Sequence, residues 1–122
     1  MDGENGASKA DASLIVISGD QSPVYAGRLE IRPADNAALV DGRPLILTVR
    51  ELQLLTLLAQ NAERVMTREE LYARVWQRAY RKSDRSVDVY VGRLRTKLGR
   101  VLPGRRFIHT HTGIGYRFST DG

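Results

Sequence analysis

The 122-residue sequence predicts an α+β fold with an N-terminal antiparallel sheet, three helices and a C-terminal β-hairpin. Three observations predict it. Turn signals divide residues 24–47 into short alternating runs, capping boxes at Thr48 and Thr67 open apolar helical stretches, and Gly113 and Gly115 bend an alternating C-terminal run. A chain of this length forms one domain with a modest core.

Residues 1–13 (MDGENGASKADAS) are polar and aperiodic, which predicts a disordered tail before a folded domain at 14–122. Within that domain the sheet is expected at 14–47, the helices over 48–98 and the hairpin at 107–119. Residues 14–17 (Leu-Ile-Val-Ile) read as a first strand. Residues 24–32 alternate around Leu29 and Ile31, Asp35 and Asn36 turn the chain into 38–40, and Asp41-Gly42 turns it again into 44–47. The result is a small antiparallel meander.

In Thr48-Val-Arg-Glu51 the threonine hydroxyl can accept from the N3 amide while the glutamate reaches back, so a helix should run from there to about residue 61. Leu52, Leu54, Leu55, Leu57 and Leu58 make it apolar over most of its girth, as a central core helix requires. Thr67-Arg-Glu-Glu70 repeats the signal for a second helix ending near Trp76, with Leu71 and Val75 inward. A short basic loop, 77–82, follows. Ser83 or Asp84 should cap the third helix, at 84–98, and Gly99 should end it as a left-handed residue.

That third helix has two opposed faces. Val87, Val91, Leu94 and Leu98 follow the i, i+4, i+7, i+11 spacing that gathers side chains into one apolar stripe. Arg85, Val89 and Arg93 fall on the other side. A guanidinium can take guanine O6/N7 or phosphate, and an outward methyl can meet a thymine methyl, so this face suits the groove of duplex DNA.

Charge along the chain supports the same partner. Five basic and nine acidic side chains lie in 1–63, thirteen and four in 64–106, and one and one in 107–122. The overall +5 therefore hides a strongly basic segment, which draws polyanions through counterion release. Arginine outnumbers lysine sixteen to three throughout, so a merely soluble basic face is the plain alternative.

Absence of cysteine excludes disulfides and thiolate metal sites and fits a reducing cytoplasm. No apolar run approaches the roughly 18 residues of a membrane span, and no signal peptide is visible, so a cytoplasmic location is expected. His109 and His111 stand two apart on one strand face. Without a third ligand nearby they read as exposed strand residues, and neither a cofactor nor an enzymatic activity is expected.

A helix-turn-helix followed by a hairpin is a winged helix, whose last helix enters the major groove while the hairpin lies over adjacent backbone or minor groove. At this level the residues resemble the OmpR/PhoB-type effector domains of bacterial response regulators, over roughly residues 29–119. The resemblance rests on Asp-Gly-x-x-x-x-Leu-Thr-x-x-Glu at 41–51, Val-Trp at 75–76, Arg-x-Val-Asp-Val at 85–89, Arg-Leu-Arg-x-Lys-Leu at 93–98 and Gly-x-Gly-Tyr at 113–116. Each piece is common alone; their order and spacing together are specific.

The resemblance implies a sequence-specific double-stranded DNA-binding domain for transcription regulation, docking near promoters as a head-to-tail pair on direct repeats. It implies base contacts from Val89 and Arg93, and phosphate contacts from Trp76, Arg85, Tyr90, Arg95, Thr110, Thr112 and Tyr116. Loop 77–82 matches the segment that touches RNA polymerase in some relatives. Competing roles stay open for several of these: a salt bridge for Arg95, ring burial for Tyr90, packing for Trp76, and both packing and phosphate donation for Tyr116. Asp88 is expected to orient Arg85 or a neighbour, or to accept from a cytosine amine.

Two departures from the family stand out. The wing position that is commonly arginine is Thr112, which leaves only hydroxyl contacts there. Gly92 stands where relatives often place a side chain, at a helical cost of about 1 kcal/mol relative to alanine. Residues 1–28 are too few for the receiver domain that precedes such effectors, so the chain is expected to be either a fragment or a standalone regulator. The rival reading is a winged-helix protein-interaction module, against which the repeated guanidinium groups argue.

Overall fold

The computed structural model describes residues 20–121. Four strands form the first sheet: β1 (Val24–Ala26), β2 (Leu29–Arg32), β3 (Ala37–Val40) and β4 (Arg43–Pro44), in that spatial order and antiparallel throughout. A 3-10 turn at Pro33–Asp35 joins β2 to β3, with Asn36 left-handed at its end. The expected meander is present, although its last strand is shorter than 44–47. The expectations for a tail at 1–13 and a strand at 14–17 lie outside the described residues.

Helices α1 (Val49–Gln60) and α2 (Arg68–Trp76) begin at the expected caps. Thr48 Oγ1 accepts from the Glu51 N–H at 3.2 Å while the Glu51 carboxylate accepts from the Thr48 N–H at 2.9 Å. Thr67 and Glu70 repeat this reciprocal pair at 3.0 Å both ways. Four orphan N–H groups are thereby satisfied by side chains adjacent in sequence, which makes these boundaries legible from local chemistry alone.

Helix α3 (Ser86–Val101) departs from expectation at both ends. Arg85 occupies the N-cap without a capping side chain, and Asp84 instead accepts from the Ser86 N–H at 2.8 Å. Gly99 does not stop the helix. Continuing past it brings Leu102 into the core at 1% exposure, and the left-handed residue is Gly104, with φ +84°. Burial of one more apolar side chain outweighs the glycine stop signal.

A strand absent from the sequence reading, β5 (Val65–Thr67), joins β6 (Ile108–His111) and β7 (Gly115–Phe118) in a second antiparallel sheet of order β5-β7-β6. The hairpin is thus anchored through β7. Gly115 makes the anchoring possible, since a Cβ there would stand 1.9 Å from the Met66 carbonyl oxygen. One core unites the two sheets and three helices: Leu29, Ile31, Leu55, Leu71, Val87, Val91, Leu94 and Phe118 are all buried, and Leu52 packs half-buried against them.

Candidate nucleic-acid interface

The buried stripe of α3, comprising Val87, Val91, Leu94 and Leu98, turns the opposite face outward. Arg85, Val89, Gly92, Arg93, Thr96 and Arg100 are exposed there. Val89 is 46% exposed, a level that no packing role explains. The Arg93 guanidinium lies 4.7 Å above the Tyr90 ring, so it is held along the helix rather than free in solvent. A Cβ added to Gly92 would meet nothing within 4 Å, so close packing inside the domain does not account for this glycine.

Trp76, at the end of α2, is half-buried. It stacks on Tyr72 at 5.2 Å and meets Tyr90 edge-on at 5.3 Å, while the Arg50 guanidinium sits 5.4 Å over its ring. Arg50 also donates to the Val75 carbonyl, satisfying an orphan acceptor at the helix C-terminus. Packing is therefore a demonstrated role of Trp76 and Tyr90. Arg50 was missed by sequence reasoning, because nothing near it in the chain announces the α2 terminus.

The junction of α2, α3 and the hairpin is organised by Asp88. Arg68 Nε donates to Asp88 Oδ1 at 2.8 Å, the Tyr116 hydroxyl donates to the same oxygen, and Arg85 Nη1 stands 3.9 Å from Oδ2. Burial pushes the Asp88 carboxyl up, but the Tyr116 and Arg68 hydrogen bonds and the nearby guanidinium charges outweigh it and hold it below the ordinary range. Burial, then Asp88, pushes the Tyr116 phenol up. Asp88 does orient its neighbours, as expected, though chiefly Arg68 and Tyr116 rather than Arg85.

Two residues expected to meet phosphate are already engaged inside the domain. Tyr116 is only 4% exposed and its hydroxyl proton goes to Asp88, so it packs and positions here and offers no free donor to a phosphate. Arg95 donates to the Ile108 carbonyl at 2.8 Å and to Thr110 Oγ1 at 2.7 Å, with its guanidinium 5.6 Å over the Tyr116 ring. The expected competitor for Arg95, a salt bridge, is replaced by this tie to β6. Thr110, Thr112 and Arg85 are exposed, and Gly113 turns the hairpin tip with φ +77°.

On the other sheet face, His111 Nε2 accepts from Arg117 Nε at 3.1 Å, and His109 lies opposite Arg117 in the β6–β7 register. Burial first, and then the Arg117 and Arg106 charges, hold the His109 imidazole below its usual value. A half-buried ion pair completes the seating of α3. Lys97 Nζ donates at 2.6 Å to the Glu51 carboxylate, itself only 1% exposed.

This geometry agrees with what the chain resembles. The sequence family described as "Transcriptional regulatory protein, C terminal" matches residues 42–118. The chain belongs to this family. The OmpR/PhoB-type winged-helix assignment drawn from the motifs stands. The phosphate regulon transcriptional regulatory protein PhoB of Pseudomonas aeruginosa is 35% identical over 100 residues, covering 82% of this chain and 43% of that protein. ResD of Bacillus subtilis, a transcriptional regulatory protein, is 42% identical over 79 residues, covering 64% of this chain and 33% of that protein. The chain thus spans less than half the length of these relatives. Among solved structures, the DNA-binding domain of CpxR from E. coli matches with TM-score 0.73 at 32% identity, over 80% of this chain and 96% of that one. The Klebsiella pneumoniae RstA DNA-binding domain, solved in complex with RstA box, matches with TM-score 0.72 at 30% identity, over 81% and 98%.

Proposed function

We propose that this chain binds duplex DNA sequence-specifically as the output domain of a bacterial transcription regulator, with α3 in the major groove and the hairpin over adjacent backbone. The observation that carries this is the outward stripe of α3, where arginines and an exposed valine share one face opposite the core. Val89 and Arg93 are the base-reading residues. Arg93 can present its fork to guanine O6/N7, and Val89 a methyl to thymine. Arg85, Trp76, Tyr90, Arg95, Thr110 and Thr112 contact phosphate around them. Tyr116 acts one step behind, by fixing Asp88.

Loop 77–82 is the proposed site for RNA polymerase, and a head-to-tail second copy on direct repeats is the proposed assembly. In support, Gln77 ends α2 in a left-handed conformation and Arg78, Arg81 and Lys82 of the loop are exposed. Work on bacterial DNA implies a cytoplasmic location, and no helix among the described residues is long and apolar enough to cross a membrane. Binding to random duplex, titrated with salt, tests the reading: log K should fall linearly with log salt by about 0.9 per phosphate contact. A binding constant flat between low and physiological salt would contradict it.

A further inference from the structure

We infer that the groove between the C-terminal half of α3 and the edge strand β6 is a phosphate-binding site, with Arg106 as the side chain poised to take the ligand. It is an open groove of about 420 Å³, lined by Arg95, Leu98, Arg105, Arg106, Ile108 and Thr110 among others, and no carboxylate lines it. Three arginines thus line it without an acidic partner. Arg95 is committed to β6, and the Arg105 guanidinium lies 5.1 Å over the Phe107 ring. The exposed Arg106 side chain makes no hydrogen bond, ion pair or ring contact among the described residues.

The backbone adds a donor. Arg95 reaches the Ile108 carbonyl, so the backbone groups of Ile108 point away from β7. Alternation along a strand then aims those of Thr110 the same way, beside the Thr110 hydroxyl. A fixed hydroxyl, an outward N–H and the Arg106 guanidinium, with the Arg95 charge beside them over the apolar floor of Leu98 and Ile108, match the many acceptor oxygens of a phosphate better than the two of a carboxylate. That phosphate belongs either to the DNA backbone or to a free phosphorylated molecule. The backbone is favoured because Arg95 and Thr110 also stand among the proposed DNA contacts; to that extent the inference rests on the DNA reading. In a chain with Thr112 at the wing tip, the groove would move backbone contact from the tip of the hairpin to its base.

The test uses Arg106→Ala and Arg106→Glu, both at an exposed position outside the proposed DNA contacts, with Arg85→Ala as the comparison. Binding of random duplex should weaken about fivefold at about 0.15 M salt in Arg106→Ala, the salt slope should drop by about 0.9, and Arg106→Glu should weaken it further. Amide NMR with sodium pyrophosphate should shift Ile108 and Thr110 in the unaltered chain and not in Arg106→Glu. Pyrophosphate shifts without any change in DNA binding would support the site and assign it to a free phosphorylated ligand. Neither effect, while Arg85→Ala still weakens DNA binding, would overturn the groove and leave the DNA reading intact. If the unaltered chain binds no duplex at all, the DNA reading fails and the pyrophosphate shifts alone decide for or against the groove.

Discussion

Replacing Glu51 tests how the third helix is seated. The carboxylate does two jobs, closing the capping box of α1 and holding Lys97 of α3 at 2.6 Å. Glu51→Gln keeps an oxygen for the Thr48 N–H and removes the charge opposite Lys97. Breaking a fully buried ion pair costs about 3–5 kcal/mol, and a hydrogen bond to a charged group contributes about 1.5–3. Because the Lys97 side chain is 30% exposed, its ammonium can re-enter water, so the lower part of these ranges applies, about 2 kcal/mol. Glu51→Ala also opens the cap and should cost about 1 kcal/mol more. Urea unfolding at pH 7 of Glu51→Gln, Lys97→Gln and the double variant gives the coupling, expected at about 1–2 kcal/mol. A Glu51→Gln variant within about 0.5 kcal/mol of the unaltered chain, with coupling indistinguishable from zero, would refute the reasoning.

Further outcomes follow from the same contacts. Burial pushes the Glu51 carboxyl up, but Lys97 and the Thr48 N–H and hydroxyl hold it below its ordinary value, so its stabilisation is full above the unfolded pKa, about 4.3, and is lost as pH falls through the lower folded value. Stability measured down to pH 3 should therefore fall less steeply in Glu51→Gln; an unchanged slope would contradict this. Leu94, at 0% exposure, loses three carbons in Leu94→Ala, which costs about 2.4 kcal/mol in transfer and about 2–5 once the cavity is included. A denaturant melt showing less than about 0.5 kcal/mol would mean the stripe is wrongly placed. Tyr116→Phe leaves the ring and removes the hydroxyl that donates to Asp88, so it should cost about 1 kcal/mol in a melt and weaken duplex binding through the loosened hairpin. Duplex binding that drops while the melt and hairpin amide shifts stay unchanged would instead make Tyr116 a direct contact.

The sequence carried the parts of this architecture that are set by neighbours in the chain. Thr48 with Glu51 and Thr67 with Glu70 announce α1 and α2 because each pair closes within four residues. Strand β5 was invisible for the opposite reason. Val65, Met66 and Thr67 become a strand by pairing with Arg117, Tyr116 and Gly115, about fifty residues away. Gly99 looked like a helix stop, and only the tertiary burial of Leu102 shows why the helix continues. In the candidate interface, the periodicity of α3 placed Arg85, Val89 and Arg93 on the outward face as read. Arg68 and Arg50, by contrast, gain their roles from Asp88 and Trp76 on other helices, which no local pattern encodes.

The central claim, that the outward face of α3 reads base pairs, is tested most directly by comparing Arg93→Ala with Arg85→Ala on a cognate site recovered with the purified chain and on a scrambled duplex. Arg93 lies one turn beyond Val89 and Arg85 at the helix start. Arg93→Ala should cost about 1–3 kcal/mol on the cognate site and much less on the scrambled one, relaxing preference at one base pair. Arg85→Ala should weaken both alike and lower the salt slope by about one. Equal losses on both duplexes for Arg93→Ala would contradict base reading by Arg93 and reduce it to a phosphate contact.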